Sequence, residues 1–157
     1  MPDDIDYGGP WLQTAVFCER VLYEKDGVVS LIRIVDRFTF TASGPDAPER
    51  IPPGAAIPIN GLLTFKSGFA KGSYTVTVTV TTPTNRKLRT VSLPMFLEGD
   101  DRGVNLGFNA NLVDLEEGLY WFDVRVGDRL VTRMPLRIVY QRFQGAAIQP
   151  GPSSLRP

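Results

Sequence analysis

An alternating segment, Tyr74 to Thr81, constrains the fold more than any other part of the sequence. It reads Tyr-Thr-Val-Thr-Val-Thr-Val-Thr, so that apolar and threonine side chains occupy alternate positions. Successive side chains of a β-strand point to opposite faces, and β-branched residues favour strands. The segment therefore predicts a half-buried strand, with its valines in a core and its threonines facing solvent.

Similar alternation recurs along the chain and predicts about eight strands, separated by turn signals such as Lys25-Asp26-Gly27 and Gly127-Asp128. No segment carries a helical stripe, although a short helical turn is expected near residues 10–14. Together these patterns predict an all-β, antiparallel β-sandwich, immunoglobulin-like or Greek-key, with an open barrel as the alternative. The predicted strands are 15–23, 28–40, 59–66, 74–81, 87–96, 104–112, 120–126 and 130–140.

The length of 157 residues suits one domain with one core. We assign residues 11–143 to this domain and residues 43–58, rich in Pro, Gly and Ala, to a long surface connection or a crossover between sheets. The acidic segment 1–10 and the low-complexity tail 144–157 are predicted to be flexible. Pro94 and Pro135 predict sheet edges or bulges, because proline cannot donate a hydrogen bond to a β-ladder.

The composition excludes several classes of function. The chain has no histidine, which excludes Ser-His-Asp and Cys-His catalysis and histidine-based zinc sites. Glycine-rich phosphate loops are also missing, so we expect no enzyme activity, no cofactor and no metal. Lys plus Arg and Asp plus Glu are both 17, and this balance argues against a nucleic-acid or membrane-surface partner. No apolar run approaches the roughly 18 residues of a membrane span.

The remaining reactive or charged groups have ordinary structural interpretations. Cys18 is the one cysteine, lies in an apolar strand, and is predicted to be a small core residue. The acidic run 98–101 is predicted to be a solvated turn, since two adjacent aspartates do not supply the ligands that calcium needs. The adjacent Glu116 and Glu117 are expected to diverge. Because no secretory signal is visible, we expect a cytoplasmic protein.

Five residues form the candidate interaction surface. Trp121 lies on the opposite strand face from its apolar neighbours and shares that face with Arg125, which favours an interface; the alternative is packing under the long connection. Three asparagines alternate with apolar residues in the segment 104–112, although asparagine is depleted in strands. Their amides could bind sugar hydroxyls or a partner's backbone, or simply face solvent. The five candidates are Trp121, Arg125, Asn105, Asn109 and Asn111.

Two local patterns resemble known proteins. The segment from Glu117 to Val124, followed by Gly127-Asp128 and Met134 to Ile138, resembles the closing hairpin of immunoglobulin-like sandwiches. Gly118 and Tyr120 resemble its tyrosine corner, although Phe122 stands where antibody domains have a cysteine. Together with this hairpin, Phe17-Cys18-Glu19-Arg20-Val21 and the segment 26–38 resemble an uncharacterised family of small bacterial β-sandwich proteins over residues 12–142. This resemblance implies the fold and assigns no activity.

These observations predict a non-catalytic protein-interaction or structural module, such as a component of a larger assembly, with a protein partner or a second copy of itself. The alternative is a sandwich that binds a small ligand or a carbohydrate. That alternative requires an exposed aromatic side chain beside amides, which Trp121 would supply if it lay next to Asn105, Asn109 or Asn111. An enzyme that uses only carboxylates ranks below both, because no group is placed to activate a nucleophile.

Overall fold

The computed structural model describes residues 8–145, which form nine β-strands and no helix. The helical turn expected at residues 10–14 is wrong, because the first strand begins at Trp11. Within the described part of the chain, no helix could span a membrane. The strands are β1 (Trp11–Tyr23), β2 (Val29–Val35), β3 (Arg37–Ser43), β4 (Ile57–Gly68), β5 (Gly72–Thr81), β6 (Val91–Leu97), β7 (Asp100–Leu112), β8 (Gly118–Val126) and β9 (Arg129–Phe143).

The strands form two packed sheets, so the predicted all-β sandwich is confirmed. The four-stranded sheet has the order β2-β1-β4-β7, and the five-stranded sheet has the order β3-β9-β8-β5-β6. Neighbouring strands run antiparallel except β3 and β9, which are parallel. The two hairpins with Asp-Gly or Gly-Asp turns join β1 to β2 and β8 to β9, as predicted.

One predicted strand, 28–40, is in fact two, which raises the number from about eight to nine. Val35 pairs with Phe17 in the four-stranded sheet, whereas Arg37 pairs with Arg137 in the five-stranded sheet. The chain therefore changes sheets at Asp36. Alternation alone does not reveal this change, because the residues on both sides keep a strand-like pattern.

The core lies between the sheets and follows the predicted alternation. The valines of β5 are fully buried or nearly so, and Tyr120, Phe122 and Val124 of β8 have no exposed surface. Phe122 meets Phe17 of the opposite sheet edge to face, with ring centroids 4.8 Å apart. Such aromatic pairs bury large apolar areas and hold the two layers together.

Both prolines lie where the sequence predicts edges. Pro94 is in β6, at the edge of the five-stranded sheet. Pro135 is in β9, which β3 covers only from Arg137 onward, so that β9 is a local edge strand at this point. A proline at an edge leaves no ladder hydrogen bond unmade.

The connection between β3 and β4 crosses from one sheet to the other, which is one of the two alternatives left open by the sequence. It is held to β9 and to the β7–β8 connection, since the Tyr140 hydroxyl donates to the Pro48 carbonyl (2.7 Å) and the Leu115 amide donates to the Ala55 carbonyl (2.8 Å). The domain begins slightly before residue 11, because Pro10 is buried and its carbonyl accepts a hydrogen bond from Arg129 (2.9 Å). Most of the predicted flexible segments, 1–7 and 146–157, lies outside the described residues.

Candidate functional site

The outer face of the five-stranded sheet, called here the five-strand face, carries the first group of candidate residues. It comprises the residues that point outward and alternate with core residues along each strand. Within residues 8–145, the long connection is hydrogen-bonded to Tyr140 of β9 and to Leu115 in the β7–β8 connection, away from the centre of this face. Its central members are Arg37 and Thr39 of β3, Arg133, Pro135 and Arg137 of β9, Trp121, Asp123 and Arg125 of β8, Thr77, Thr79 and Thr81 of β5, and Ser92, Pro94 and Phe96 of β6.

The charged residues of this sheet are almost all positive. Its five strands contain six arginines and one aspartate, and they contain neither lysine nor glutamate. The whole chain has no net charge, so the acidic residues that balance these arginines lie in other elements. The net charge of the sequence does not reveal this asymmetry, because it averages over all surfaces and strand order decides which charges become neighbours.

Trp121 and Arg125, both predicted site residues, lie together on the five-strand face around Asp123. The Arg133 guanidinium lies over the Trp121 ring, 4.9 Å from its centroid, and its Nε donates to Asp123 Oδ1 (2.7 Å). The other carboxylate oxygen lies 3.9 Å from Arg125 Nη1. A cation over an indole face and a shared carboxylate both restrict these side chains before any partner arrives.

The alternative packing of Trp121 under the connection 43–58 is wrong. Its neighbours in the sheet are Thr81 and Pro135, whereas the connection contacts Tyr140 and Leu115. The position of Trp121 on the outer face follows from its alternation with buried Tyr120 and Phe122.

The three predicted asparagines do not join this surface, which corrects the five-residue candidate. Asn105, Asn109 and Asn111 alternate with the buried residues of β7 and are exposed on the outside of the four-stranded sheet. Trp121 lies on the outside of the five-stranded sheet, which is the opposite side of the sandwich. The reason is that β7 and β8 are consecutive in sequence but lie in different sheets.

A second group of polar residues forms a cleft on the four-stranded sheet, where the β1–β2 hairpin approaches β7. Asn109 Nδ2 donates to Asn60 Oδ1 (2.8 Å), and Asn60 Nδ2 donates to the Glu19 carbonyl (2.9 Å). The Gly107 amide donates to the Tyr23 hydroxyl (3.1 Å). The cleft has a volume of about 270 Å³ and is lined by Arg20, Val21, Tyr23, Asn60, Gly107, Phe108 and Asn109.

Only Asn109 of this cleft was a candidate from the sequence. Tyr23 and Arg20 end a predicted strand beside a turn, and nothing local indicates that they approach residues more than eighty positions later. Asn60 lies opposite Asn109 in the β4–β7 ladder. The cleft therefore depends on strand pairing that the sequence pattern does not specify.

The glutamate pair and the acidic run do not build a catalytic or metal site. Glu116 accepts hydrogen bonds from Thr84 (2.9 Å), whereas Glu117 accepts from the Tyr140 amide (3.2 Å), so the two carboxylates diverge as expected. In the acidic run, Glu98 pairs with Arg102 at 2.9 Å. Among residues 8–145, no three His, Cys, Asp or Glu side chains converge as a metal site would require.

Cys18 is a buried residue with 1% exposure, as predicted, and burial raises the pKa of its thiol. Since the thiolate is the reactive form, both effects suppress its chemistry. We expect Cys18 to react with a disulfide reagent at least ~100-fold more slowly in the native protein than in the unfolded chain. This ratio corresponds to a free energy of about 2.7 kcal/mol for the opening that exposes the thiol. A colorimetric thiol assay with and without denaturant measures this ratio; rapid native labelling would contradict the buried position.

Comparisons with known proteins give a likeness of fold only. No protein-family model matches the chain, and no curated protein matches it. Among solved structures, an immunoglobulin-like protein from Pseudomonas aeruginosa aligns with 85% of this chain and 98% of its own, at 12% identity and a TM-score of 0.40. The suggested family of small bacterial sandwiches therefore stays a prediction, and the likeness carries no information about function.

Proposed function

We propose that this protein is a non-catalytic interaction module that docks an acidic protein surface on its five-strand face. The observation that carries the proposal is the composition of this face, which carries no lysine or glutamate, one aspartate (Asp123) and four arginines: Arg37, Arg125, Arg133 and Arg137. Protein interfaces are enriched in arginine and aromatic residues and depleted in lysine and glutamate. An ordinary solvated face would use lysine and glutamate freely.

The centre of the docking surface is the Trp121 cluster, which comprises Trp121, Asp123, Arg125 and Arg133. Trp121 is partly buried under Arg133, and Asp123 holds Arg133 in place. Tryptophan and arginine are the residues most often found at interface hot spots. Because these side chains are already restrained, docking on them loses less conformational entropy than docking on free surface side chains.

The size of the face suits one side of a protein complex. Five strands spaced ~4.8 Å apart, each with about seven residues at ~3.3 Å, give a flat area of roughly 550 Å². A standard interface buries about 800 Å² per partner. The flat area of the face is about two-thirds of that value, so a complex of standard size would use the whole face and also its rim.

Charge selects an acidic protein partner. Arg37 and Arg137 are paired neighbours in the sheet and both are exposed. Nucleic acid is disfavoured because Asp123 already pairs with Arg133 and lies close to Arg125, which leaves few cations for the many phosphate contacts that such binding needs. The pattern therefore fits a carboxylate-bearing protein surface better than a polyphosphate.

A double charge reversal tests the proposal. We expect Arg37→Glu with Arg137→Glu to weaken the complex by at least ~100-fold, because each arginine at a charged interface contributes about 1.5–3 kcal/mol. Affinity capture from the native source, quantified for each retained protein and repeated at high salt, measures the loss. The same reversal at Arg50, which is exposed on the connection, is the control.

The expected result is one or more acidic proteins retained by the wild type and by Arg50→Glu and lost with the double variant. Equal retention by all three proteins would overturn the proposed face. So would a retained component that nuclease removes, since the partner would then be nucleic acid. The free energy of unfolding, measured by thermal unfolding, should change by no more than about 0.5 kcal/mol in either variant, because all three positions are exposed.

A further inference from the structure

The cleft between the β1–β2 hairpin and β7 combines an exposed aromatic ring with ordered amides. The Tyr23 side chain is 66% exposed and lines the cleft together with Asn60 and Asn109. The sequence suggested this combination for Trp121, and the fold supplies it at Tyr23. We propose that the cleft binds one residue of a saccharide chain and prefers a sugar that carries a carboxylate.

The amides are ordered in advance by a short chain of hydrogen bonds. Asn60 uses one N–H on the Glu19 carbonyl and its oxygen on Asn109, so its amide orientation is fixed. Asn109 uses one N–H on Asn60 and keeps its second N–H and its oxygen for a ligand. One side chain thus offers a donor and an acceptor side by side, which matches the paired donor and acceptor character of sugar hydroxyls.

The Tyr23 hydroxyl adds a further donor. Its oxygen accepts a hydrogen bond from the Gly107 amide, so its own hydrogen is free to point to a ligand. Gly107 has no side chain here, and a Cβ at this position would collide with the Tyr23 hydroxyl. The glycine therefore lets the tyrosine approach the strand and leaves its ring exposed as an apolar platform.

Arg20 determines the preference for an acidic sugar. It lines the cleft and is exposed, and its guanidinium makes no hydrogen bond or ion pair with any of residues 8–145. Guanidinium groups bind carboxylates with two parallel hydrogen bonds. A uronate places a carboxylate on the same ring as its hydroxyls, so one sugar residue satisfies Arg20, Tyr23 and Asn109 together.

The volume limits the ligand to one ring. A cleft of about 270 Å³ is smaller than the pockets that enclose drug-sized molecules, which begin at ~300 Å³. Because the cleft is open at the surface, the chain of a longer saccharide can continue on both sides. The site lies on the four-stranded sheet, so its test is independent of the test of the five-strand face.

Titration calorimetry of the full chain with a galacturonate oligosaccharide and with the matching neutral galactose oligosaccharide tests the site. We expect both to bind, the uronate at least ~10-fold more tightly. Arg20→Gln should remove this difference and leave the neutral sugar unchanged within about twofold. Asn109→Ala should weaken both sugars by about 5- to 10-fold, since it removes a donor and an acceptor.

Asn105→Ala is the matched control, because Asn105 is exposed on the same strand and face but does not line the cleft. It should leave both affinities unchanged. Three results would overturn the proposal: absence of saturable binding by either sugar, equal effects of Asn105→Ala and Asn109→Ala, or binding of a simple dicarboxylate as tight as that of the uronate. The last result would identify the cleft as a carboxylate site without sugar recognition.

Discussion

Replacing Phe122 by alanine is expected to lower the free energy of unfolding by about 3–5 kcal/mol. The side chain has no exposed surface, and its ring meets Phe17 at 4.8 Å and Phe108 at 6.4 Å between centroids. Both contacts join the five-stranded sheet to the four-stranded sheet. Since a domain is typically stable by only about 5–15 kcal/mol, this one substitution removes a large share of the stability.

Phe96→Ala provides the control with identical chemistry. Phe96 lies in the same sheet but is 63% exposed, so its loss should change the stability by about 0.5 kcal/mol or less. Urea unfolding of both variants, followed by intrinsic fluorescence, gives the two values. Equal losses at the two positions, or a loss below about 1 kcal/mol at Phe122, would contradict the packing described here.

The contrast between these two phenylalanines also shows how much of the fold is predictable from sequence. Phe122 lies in a segment where apolar residues alternate strictly, and this alternation correctly predicted which face is buried. Strand identity and facing depend on nearest neighbours along the chain, so they can be predicted from a local pattern. The edges at Pro94 and Pro135 were predictable for the same reason, because the chemistry of proline is local.

The arrangement of the sheets could not be predicted in this way. At Asp36 the chain passes between sheets without any break in its alternation, so one predicted strand became two. Pairing between strands depends on contacts distant in sequence, and many pairings bury the same residues. Local alternation therefore predicts the layers but not their strand order.

The candidate sites show the same limit. The outward orientation of Trp121 and of the asparagines was predicted, but strand order separates them onto opposite sides of the sandwich. Strand order also gathers the arginines onto one sheet and brings Tyr23 to Gly107, 84 positions away. Each candidate side chain was thus predicted to be outward, and only the tertiary pairing decides which of them can act together.

Replacing Tyr120 by phenylalanine tests the predicted tyrosine corner and should cost about 1–3 kcal/mol of stability. The Tyr120 hydroxyl accepts a hydrogen bond from the Glu116 amide (2.9 Å), and the side chain has no exposed surface. The substitution keeps the ring and removes the acceptor, so the Glu116 amide is left without its partner. Thermal and urea unfolding of the variant measure the cost.

Tyr74→Phe is the control, because the Tyr74 hydroxyl makes no hydrogen bond with any of residues 8–145. Its stability should stay within about 0.5 kcal/mol of the wild type, and equal losses at both positions would refute the corner.

Burial raises the pKa of Tyr120 in the folded state, so the unfolded chain releases this proton first as the pH rises. The stability that Tyr120 contributes is therefore complete below its unfolded pKa of about 10 and is lost as the pH rises through the folded value. The difference in free energy of unfolding between wild type and Tyr120→Phe should accordingly stay constant from neutral pH to pH ~10. Above that pH the difference should narrow, because the phenylalanine cannot ionise.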